Sequence, residues 1–349
     1  MKKIDLRRDT ITLPTEEMKK DAFRAPMGDS VYDEDIKQVE LEECAARKLG
    51  KESAIFVPSG TMGNLVALLT HTERGDEIIM EENAHIRLSE TGGAACVGGL
   101  MIRTVRGEDG APDPSGMEKA IRADNIHYPK TALICLENTH YRYGGIVPSL
   151  ENFRRIRDIS AAHNIPVHLD GARLFNASLY LGVSASEISA CADSVMISLS
   201  KGLGAPVGSI LSGTETFISK AKRYRKMLGG GMRQTGWLCA CGLRALSDEN
   251  IEQLGEDHEN ARMLAQGLLK NEGIHIELDR VHTNFLLARF DYPTFRSQEF
   301  LKVLSSRGVY ATAVSENLIR FVTSREVTRR DIDVAVTVIE QVIKEMYRR

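Results

Sequence analysis

The stretch Val195-Met196-Ile197-Ser198-Leu199-Ser200-Lys201-Gly202-Leu203-Gly204-Ala205-Pro206 decides how this chain reads. It opens as an apolar run of strand length and breaks into two serines, a lysine and glycines. A run apolar on both faces fits a strand covered on both sides, and open α/β sheets gather ligands beyond the carboxyl ends of their strands. Lys201 falls at such an end. A lysine projecting into a cleft can form an imine with an aldehyde cofactor. Taken alone, a surface lysine after a strand is the plainer reading. The glycines do not follow G-x-G-x-x-G, so nicotinamide binding has weak support.

Upstream, Val167-His168-Leu169-Asp170-Gly171-Ala172-Arg173 repeats the theme, with Asp170 where an apolar strand leaves the sheet. A carboxylate there holds a ring nitrogen protonated, or caps the next helix. Further upstream, Phe56-Val57-Pro58-Ser59-Gly60-Thr61-Met62-Gly63-Asn64 ends a strand and starts a helix. Free N–H groups at a helix start, with the Ser59 and Thr61 hydroxyls, suit a phosphate, and Gly60 allows close backbone approach. An ordinary capped turn explains the same residues. No Lys-Ser/Thr follows, so this is not a Walker loop. Each signal is weak, but together they supply what pyridoxal phosphate requires: a phosphate cradle, a ring-nitrogen carboxylate and an imine lysine.

The surrounding pattern agrees. Strand-like segments at 54–57, 77–80, 131–136, 166–169 and 194–199 alternate with helical spacing at 35–49, 62–70 and 152–163. This predicts an α/β fold with a mostly parallel sheet sandwiched by helices. After about residue 250 the pattern changes. A long helix over 251–270, strands at 284–289 and 318–322, a helix at 297–306 and a last helix from Thr328, with Asp331 three residues on, predict a small C-terminal α+β domain. The expected units are an N-terminal arm (1–20) without amphipathic period, packed on the main body, a large cofactor-binding domain (21–255) and a small domain (256–349).

Composition excludes several classes. The 349 residues carry a formal net charge of −3 with the two signs mixed, so no nucleic-acid partner is expected. The basic end, Tyr347-Arg348-Arg349, reads as a solvated helix terminus. The charged start, Met1 to Asp9, is no signal peptide, and no apolar run reaches the ~18 residues of a spanning helix; a cytoplasmic location and no membrane partner are expected. Cys44, Cys96, Cys135, Cys191, Cys239 and Cys241 are scattered and read as buried free thiols. Cys239 and Cys241 lack a second pair, so no zinc is expected, nor any other metal site.

Several stretches in order resemble one family. They are Asp5-Leu6-Arg7, Asp9-Thr10, Gly28-Asp29-Ser30-Val31-Tyr32, Pro58-Ser59-Gly60-Thr61, Leu136-Glu137-Asn138-Thr139-His140, His168 to Arg173, Ser200 to Gly204 and Gly229-Gly230-Gly231-Met232-Arg233-Gln234. From about residue 4 to about 325 the chain is similar to the low-specificity L-threonine aldolases, in the β-eliminating-lyase group of fold-type I pyridoxal-phosphate enzymes. The resemblance implies a Schiff base at Lys201, Asp170 on the ring nitrogen, Gly60 and Thr61 on the phosphate, and His85 stacked on the ring. It puts Arg173 near the cofactor's phenolic oxygen or the substrate carboxylate, Arg320 on that carboxylate and His127 near the substrate hydroxyl. It implies a homotetramer with active sites near subunit boundaries, where the Arg233 loop reaches. The implied reaction cleaves L-threonine, L-allo-threonine or related 3-hydroxy-α-amino acids to glycine and an aldehyde.

Each assignment has a plainer reading. His85 also suits a satisfied helix-start residue, His127 an exposed loop and Arg320 an internal salt bridge. His163 reads as structural, and His140 and His282 are unassigned. Two departures stand out: Arg8 where the family usually has a substrate-holding serine, and the Tyr141-Arg142-Tyr143-Gly144-Gly145 turn, which is usually shorter. Arg8, and Arg142 with it, are candidates for selecting a larger or anionic side chain; Arg8 turned to solvent is the alternative. Competing functions are a related β-eliminating lyase or aminotransferase, which would release pyruvate with ammonia or a keto acid, and a non-catalytic binding protein, which would not change colour with glycine.

Overall fold

A computed structural model describes residues 3–347; residues 1 and 2 of the arm and Arg348 and Arg349 of the basic end lie outside the described residues. The central sheet contains β1 (Ser53–Val57), β2 (Glu77–Glu81), β3 (Met101–Val105), β4 (Thr131–Glu137), β5 (Val167–Asp170), β6 (Ser194–Ser198) and β7 (Ser209–Gly213), in the order β1-β7-β6-β5-β4-β2-β3. β7 runs antiparallel to β1 and β6, and the remaining pairs are parallel. Every residue of β2, β4, β5, β6 and β7 is buried, with polar residues mostly at the strand ends around apolar centres. Edge strand β3 is largely uncovered and mixes Arg103 and Thr104 with apolar residues, which hides it from pattern reading.

Register brings the chemistry to one edge. Glu137 lies opposite Asp170, and Asp170 opposite Met196, so β4, β5 and β6 end side by side. Lys201 follows β6 by three residues. Helix α1 spans Glu16–Arg24, α2 Ile36–Leu49 and α3 Gly60–His71. Asp35 caps α2 by accepting from Gln38 N, and Gly50 ends it in the left-handed region at φ +61°. Ser59 caps α3 by accepting from Met62 N.

Beyond α4 (Gly236–Ala245) and α5 (Leu254–Leu268), strands β8 (Ile274–His275), β9 (Phe285–Phe290), β10 (Thr312–Ala313) and β11 (Leu318–Val322) form an antiparallel sheet in the order β8-β9-β11-β10. It packs with α5, α6 (Ser297–Ser306) and α7 (Arg329–Tyr347) into a second apolar cluster, separate from the one that holds β4, β5 and β6. Asp331 accepts from Thr328 N at 2.9 Å at the start of α7.

Three expectations are corrected. The helix over 251–270 is two helices, Asp248–Glu252 and α5, interrupted at Gln253 and started by a Ser247 cap. The arm contains an amphipathic helix, α1, whose Met18 is fully buried in the main cluster. Its first residues pack elsewhere: Ile4 and Asp5 pair with Val309 and Tyr310, and Leu6 enters the C-terminal cluster. The cysteines are free, but Cys96 is exposed and Cys44 half-buried.

Candidate active site

Asp170 ends β5 buried, with each carboxylate oxygen held: Ala172 N donates to Oδ1 (3.1 Å) and Asn64 Nδ2 to Oδ2 (2.9 Å). The Asn64 amide also donates to Glu90 Oε1 (2.7 Å). Both amide hydrogens being used, Asn64 Oδ1 must accept from His168 Nε2 (3.1 Å). His168 Nδ1 then accepts from the Ser194 hydroxyl (2.9 Å), which accepts from His71 Nε2 (2.8 Å). This chain of polar groups fixes both histidines as neutral tautomers. Burial pushes His71 down to about 3 and His168 to about 4.

Lys201 stands beside this system. Burial pushes its ammonium down to about 8, and the Arg173 guanidinium acts in the same direction, against Asp9, Asp170 and Glu137. At pH 7 roughly one such amine in ten is neutral, against about one in three thousand for an ordinary lysine.

The start of α3 supplies the third part. Its first N–H groups have no intrahelical partner; Ser59 takes that of Met62 and leaves those of Gly60 and Thr61. A Cβ on Gly60 would come within 3.2 Å of Met196 Cε and 3.6 Å of Ser209 Oγ. That serine hydroxyl is buried without a hydrogen-bond partner. An orphaned donor beside free helix N–H groups fits an anion, and with Lys201 and Asp170 the set fits pyridoxal phosphate.

Two arginines lie across the pocket. Arg173 makes a buried two-pronged pair with Asp9, Nε–Oδ2 2.6 Å and Nη2–Oδ1 2.7 Å. Burial alone would raise the Asp9 carboxyl, but Arg173, Lys201 and the Asn284 amide together hold the group below the usual range. Arg320, on β11, has no carboxylate partner among the described residues, and its Nε is buried without an acceptor. Its guanidinium carbon lies 4.5 Å from the centre of the Tyr141 ring.

His85 opens a short helix after β2, its N–H donating to Glu137 Oε2 (2.7 Å) and its Nδ1 lying 2.9 Å from Glu90 Oε1. Burial opposes its charge, but Glu90 and Asp170 raise its pKa on balance. His85, Glu90 and Asp170 bring ligand atoms within 4.8 Å of one another, close enough for an ion to bridge, although the His85 ring and the Asn64 amide already engage these carboxylates. Glu137 also accepts from Tyr141 N (2.9 Å), and buried His140 sits between Glu81 (3.1 Å) and Glu137 (3.8 Å).

A model of the beta-eliminating lyase family matches residues 5–291. The chain is 42% identical to low-specificity L-threonine aldolase 1 of Arabidopsis thaliana, over 99% of this chain and 98% of that one. It belongs to the low-specificity L-threonine aldolase family. The fold agrees: a Leishmania major threonine aldolase superposes with a TM-score of 0.83 at 19% identity, covering 97% of this chain and 99% of that one. A more distant neighbour of the same fold, an SPT with PLP, gives a TM-score of 0.77 at 16% identity over 98% of this chain and 88% of that one.

Lys201, Asp170, His85, Arg173 and Arg320 thus cluster about Tyr141 and the ends of β5 and β6 in a threonine aldolase fold, with Gly60 of the Ser59-Gly60-Thr61 turn against Met196 of β6. The other candidates lie apart. Arg8 is exposed at the start of a short 3-10 helix. Arg142 is exposed, and His163 is exposed at a helix end. Arg233 is exposed and pairs with Asp29 (2.7 Å). His127 is exposed in the loop before β4, at the opposite end of the strand from Glu137. His282 stacks on Tyr180 (4.2 Å).

Asp9, Asn64, Glu90, Glu137, His140 and Tyr141 were not assigned from the sequence. Asp9, Glu137 and His140 stand within the motifs quoted above, and Tyr141 within the departing turn. Asn64 follows the phosphate turn directly, but nothing in its spacing announces the Asp170 contact. Glu90 carries no signal, lying five residues after His85 and beyond the end of its short helix.

Proposed function

We propose that this protein is a pyridoxal-phosphate-dependent aldolase that cleaves L-threonine, L-allo-threonine or a related 3-hydroxy-α-amino acid to glycine and an aldehyde. The observation that carries this reading is a lysine tuned to about 8 in the same cluster as a half-buried guanidinium without a carboxylate partner among the described residues. The first holds an aldehyde cofactor and the second an α-amino acid. The N–H groups of Gly60 and Thr61, with the Ser59 and Thr61 hydroxyls beside them, would hold the phosphate, Asp170 the ring nitrogen, His85 the ring face and Lys201 the imine carbon. When bound, pyridoxal phosphate supplies an electron-accepting ring for the pair released as Cα–Cβ breaks.

The chain's own groups do the rest. Asn64 and Ala172 fix the side chain of Asp170, which would face the ring nitrogen. Arg320 presents a planar fork to the substrate carboxylate and so fixes the orientation of the breaking bond. Arg173, engaged by Asp9, lowers Lys201 and keeps a neutral amine available. Glu90 occupies His85 Nδ1 and leaves Nε2 to face the substrate. A base must take the β-hydroxyl proton, and we assign this to His127.

Within one chain His127 lies beyond the far end of β4, a strand that spans about 20 Å to Glu137 at ~3.3 Å per residue. The assignment therefore requires a neighbouring copy. Phe23 (91% exposed), Ile36 and Trp237 (53%) on α1, α2 and α4, with Met27 in the loop after α1, offer apolar surface, and Gly236 lies so close to Pro26 and Asp35 that these form one face. They support a homotetramer with sites near its subunit boundaries and Arg233 close by. Arg8 stays a candidate for substrate contact only in such an assembly.

The test is a product assay over a panel of 3-hydroxy amino acids that includes acidic side chains, with borohydride trapping and peptide mapping. Glycine plus an aldehyde, with label on Lys201, is expected. A 2-oxo acid with ammonia would replace this reading with β-elimination, and label elsewhere would remove Lys201 from it.

A further inference from the structure

Arg320 raises a physical question that the proposed function leaves open. The side chain is half-buried with its Nε shut away from solvent, and a guanidinium N–H so placed is costly unless something compensates it. No carboxylate among the described residues does so, and its Nε is unsatisfied. What faces it is aromatic: the Tyr141 ring at 4.5 Å and the Phe285 ring at 5.8 Å from Cζ. A cation over a ring is attracted without using a single N–H donor. This contact therefore holds the guanidinium while leaving its fork open.

The Tyr141 ring is put there by backbone, not by chance packing. Its N–H is held by Glu137 Oε1 (2.9 Å), and Gly144 N donates to Tyr141 O (3.2 Å). Gly144 and Gly145 have φ of +81° and +70°. A Cβ on either would come within 2.9 Å of the Leu287 or Phe285 side chain. Thr283 Oγ1 donates to Gly145 O (2.9 Å). The turn is thus pressed onto β9, where Leu287 is the register partner of Arg320. The ring also meets His85 edge-on at 6.1 Å. It closes the wall between the cofactor face and the carboxylate subsite.

We infer that Tyr141 is the positioning residue that holds Arg320 open for a free α-carboxylate, and through it sets the enzyme's discrimination between α-amino acids and their amides. The inference rests on the proposed function for the role of Arg320. Removing the ring leaves the guanidinium without its support, free to turn towards another acceptor. The loss then falls on ligands with a carboxylate and spares those without one.

The test uses holoenzyme carrying Tyr141→Phe and Tyr141→Leu, both melted against wild type to confirm folding. Glycine and glycinamide affinities are measured by titration calorimetry, alongside kcat and KM for threonine cleavage. Tyr141→Phe keeps the ring and binds glycine within about twofold of wild type. Tyr141→Leu binds glycine about tenfold more weakly, with glycinamide unchanged and the loss appearing in KM more than in kcat. Unchanged glycine affinity in Tyr141→Leu overturns the inference. So does an equal loss for glycine and glycinamide, which would mean a loosened pocket, or a Tyr141→Phe loss as large as that of Tyr141→Leu. Failure of the proposed function looks different: wild-type holoenzyme gives no aldehyde from any 3-hydroxy amino acid. Wild type that does not bind glycine at all sinks both.

Discussion

Arg173 and Arg320 flank the same two rings, Tyr141 and Phe285, and both approach them closely enough for cation–π contact. Only one of them has its charge matched by the protein. Arg173 has Asp9 on two prongs, whereas Arg320 has an orphaned Nε and no acid. A buried ion pair is a finished structural unit, and a half-buried guanidinium with an unpaired Nε is an unfinished one that a ligand completes. The pair at Arg173 still reaches the chemistry, because its cation lowers Lys201. The first arginine conditions the lysine and the second receives the substrate, a division that the identity of the two residues does not disclose.

The largest effect that could break this contrast comes from removing Asp9. Asp9→Asn leaves Arg173 buried beside an uncharged group, and one-sided loss of a buried pair costs about 3–5 kcal/mol. Urea unfolding of the apo-protein should show it, and a second change, Arg173→Met, should recover more than half. An unchanged unfolding midpoint in Asp9→Asn would mean that Arg173 is not held as described. Next in size is Arg320→Leu. Because no protein acid depends on this cation, its unfolding midpoint should stay at or above that of wild type. Its kcat/KM for threonine should fall on the order of a hundredfold, as charge-assisted hydrogen bonds to the substrate are lost. Arg320→Lys should recover little of this, since an ammonium cannot reproduce the fork. A variant that unfolds early with intact kcat/KM would reverse the assignment of the two arginines.

The same rule, that a buried polar group needs a partner, extends to the histidines behind Asp170 and gives a pH-dependent effect. His71 and His168 are neutral in the fold, with pKa values of about 3 and about 4, against an ordinary 6.5. Between those values the unfolded chain binds more protons than the native one, so stability is full above about pH 6.5 and is lost as pH falls towards 4. Denaturant midpoints should drop through that window, and His168→Gln should flatten the drop. A wild-type midpoint independent of pH from 6.5 to 4 would contradict the wiring.

How far the sequence could carry this depended on where each signal lay. β4, β5 and β6 were legible because both faces are buried and their apolar runs end in polar residues, and the same break marked Asp170 and Lys201. The exposed edge strand β3 carried no such run. The interruption at Gln253 was invisible, since glutamine suits a helix and the apolar spacing continues from Ile251 through Leu254 to Leu268. In the site, Arg320 could be suspected from its apolar strand, but its partner could not be named. The Asp9–Arg173 pair joins residues 164 apart, and the Asn64–Asp170 contact residues 106 apart. Pairings over such distances are set by topology, and no local pattern records them.

The smallest expected effect concerns a third arginine, and it sharpens the contrast by standing outside it. Arg8 immediately precedes Asp9, yet the two side chains go opposite ways: Asp9 is 1% exposed and Arg8 is exposed. The extended backbone at Arg8, φ −170° and ψ 153°, sends neighbouring side chains to opposite sides of the chain. A solvated arginine has no desolvated charge to complete and little to offer a substrate inside the crevice. Arg8→Ser should therefore shift stability by no more than about 0.5 kcal/mol. It should also leave the ranking of 3-hydroxy amino acids, acidic side chains included, within about twofold of wild type. A larger loss confined to anionic substrates would show that assembly turns Arg8 inward. It would then join Arg320 as a second cation completed by ligand, and side-chain selectivity would belong to the arm.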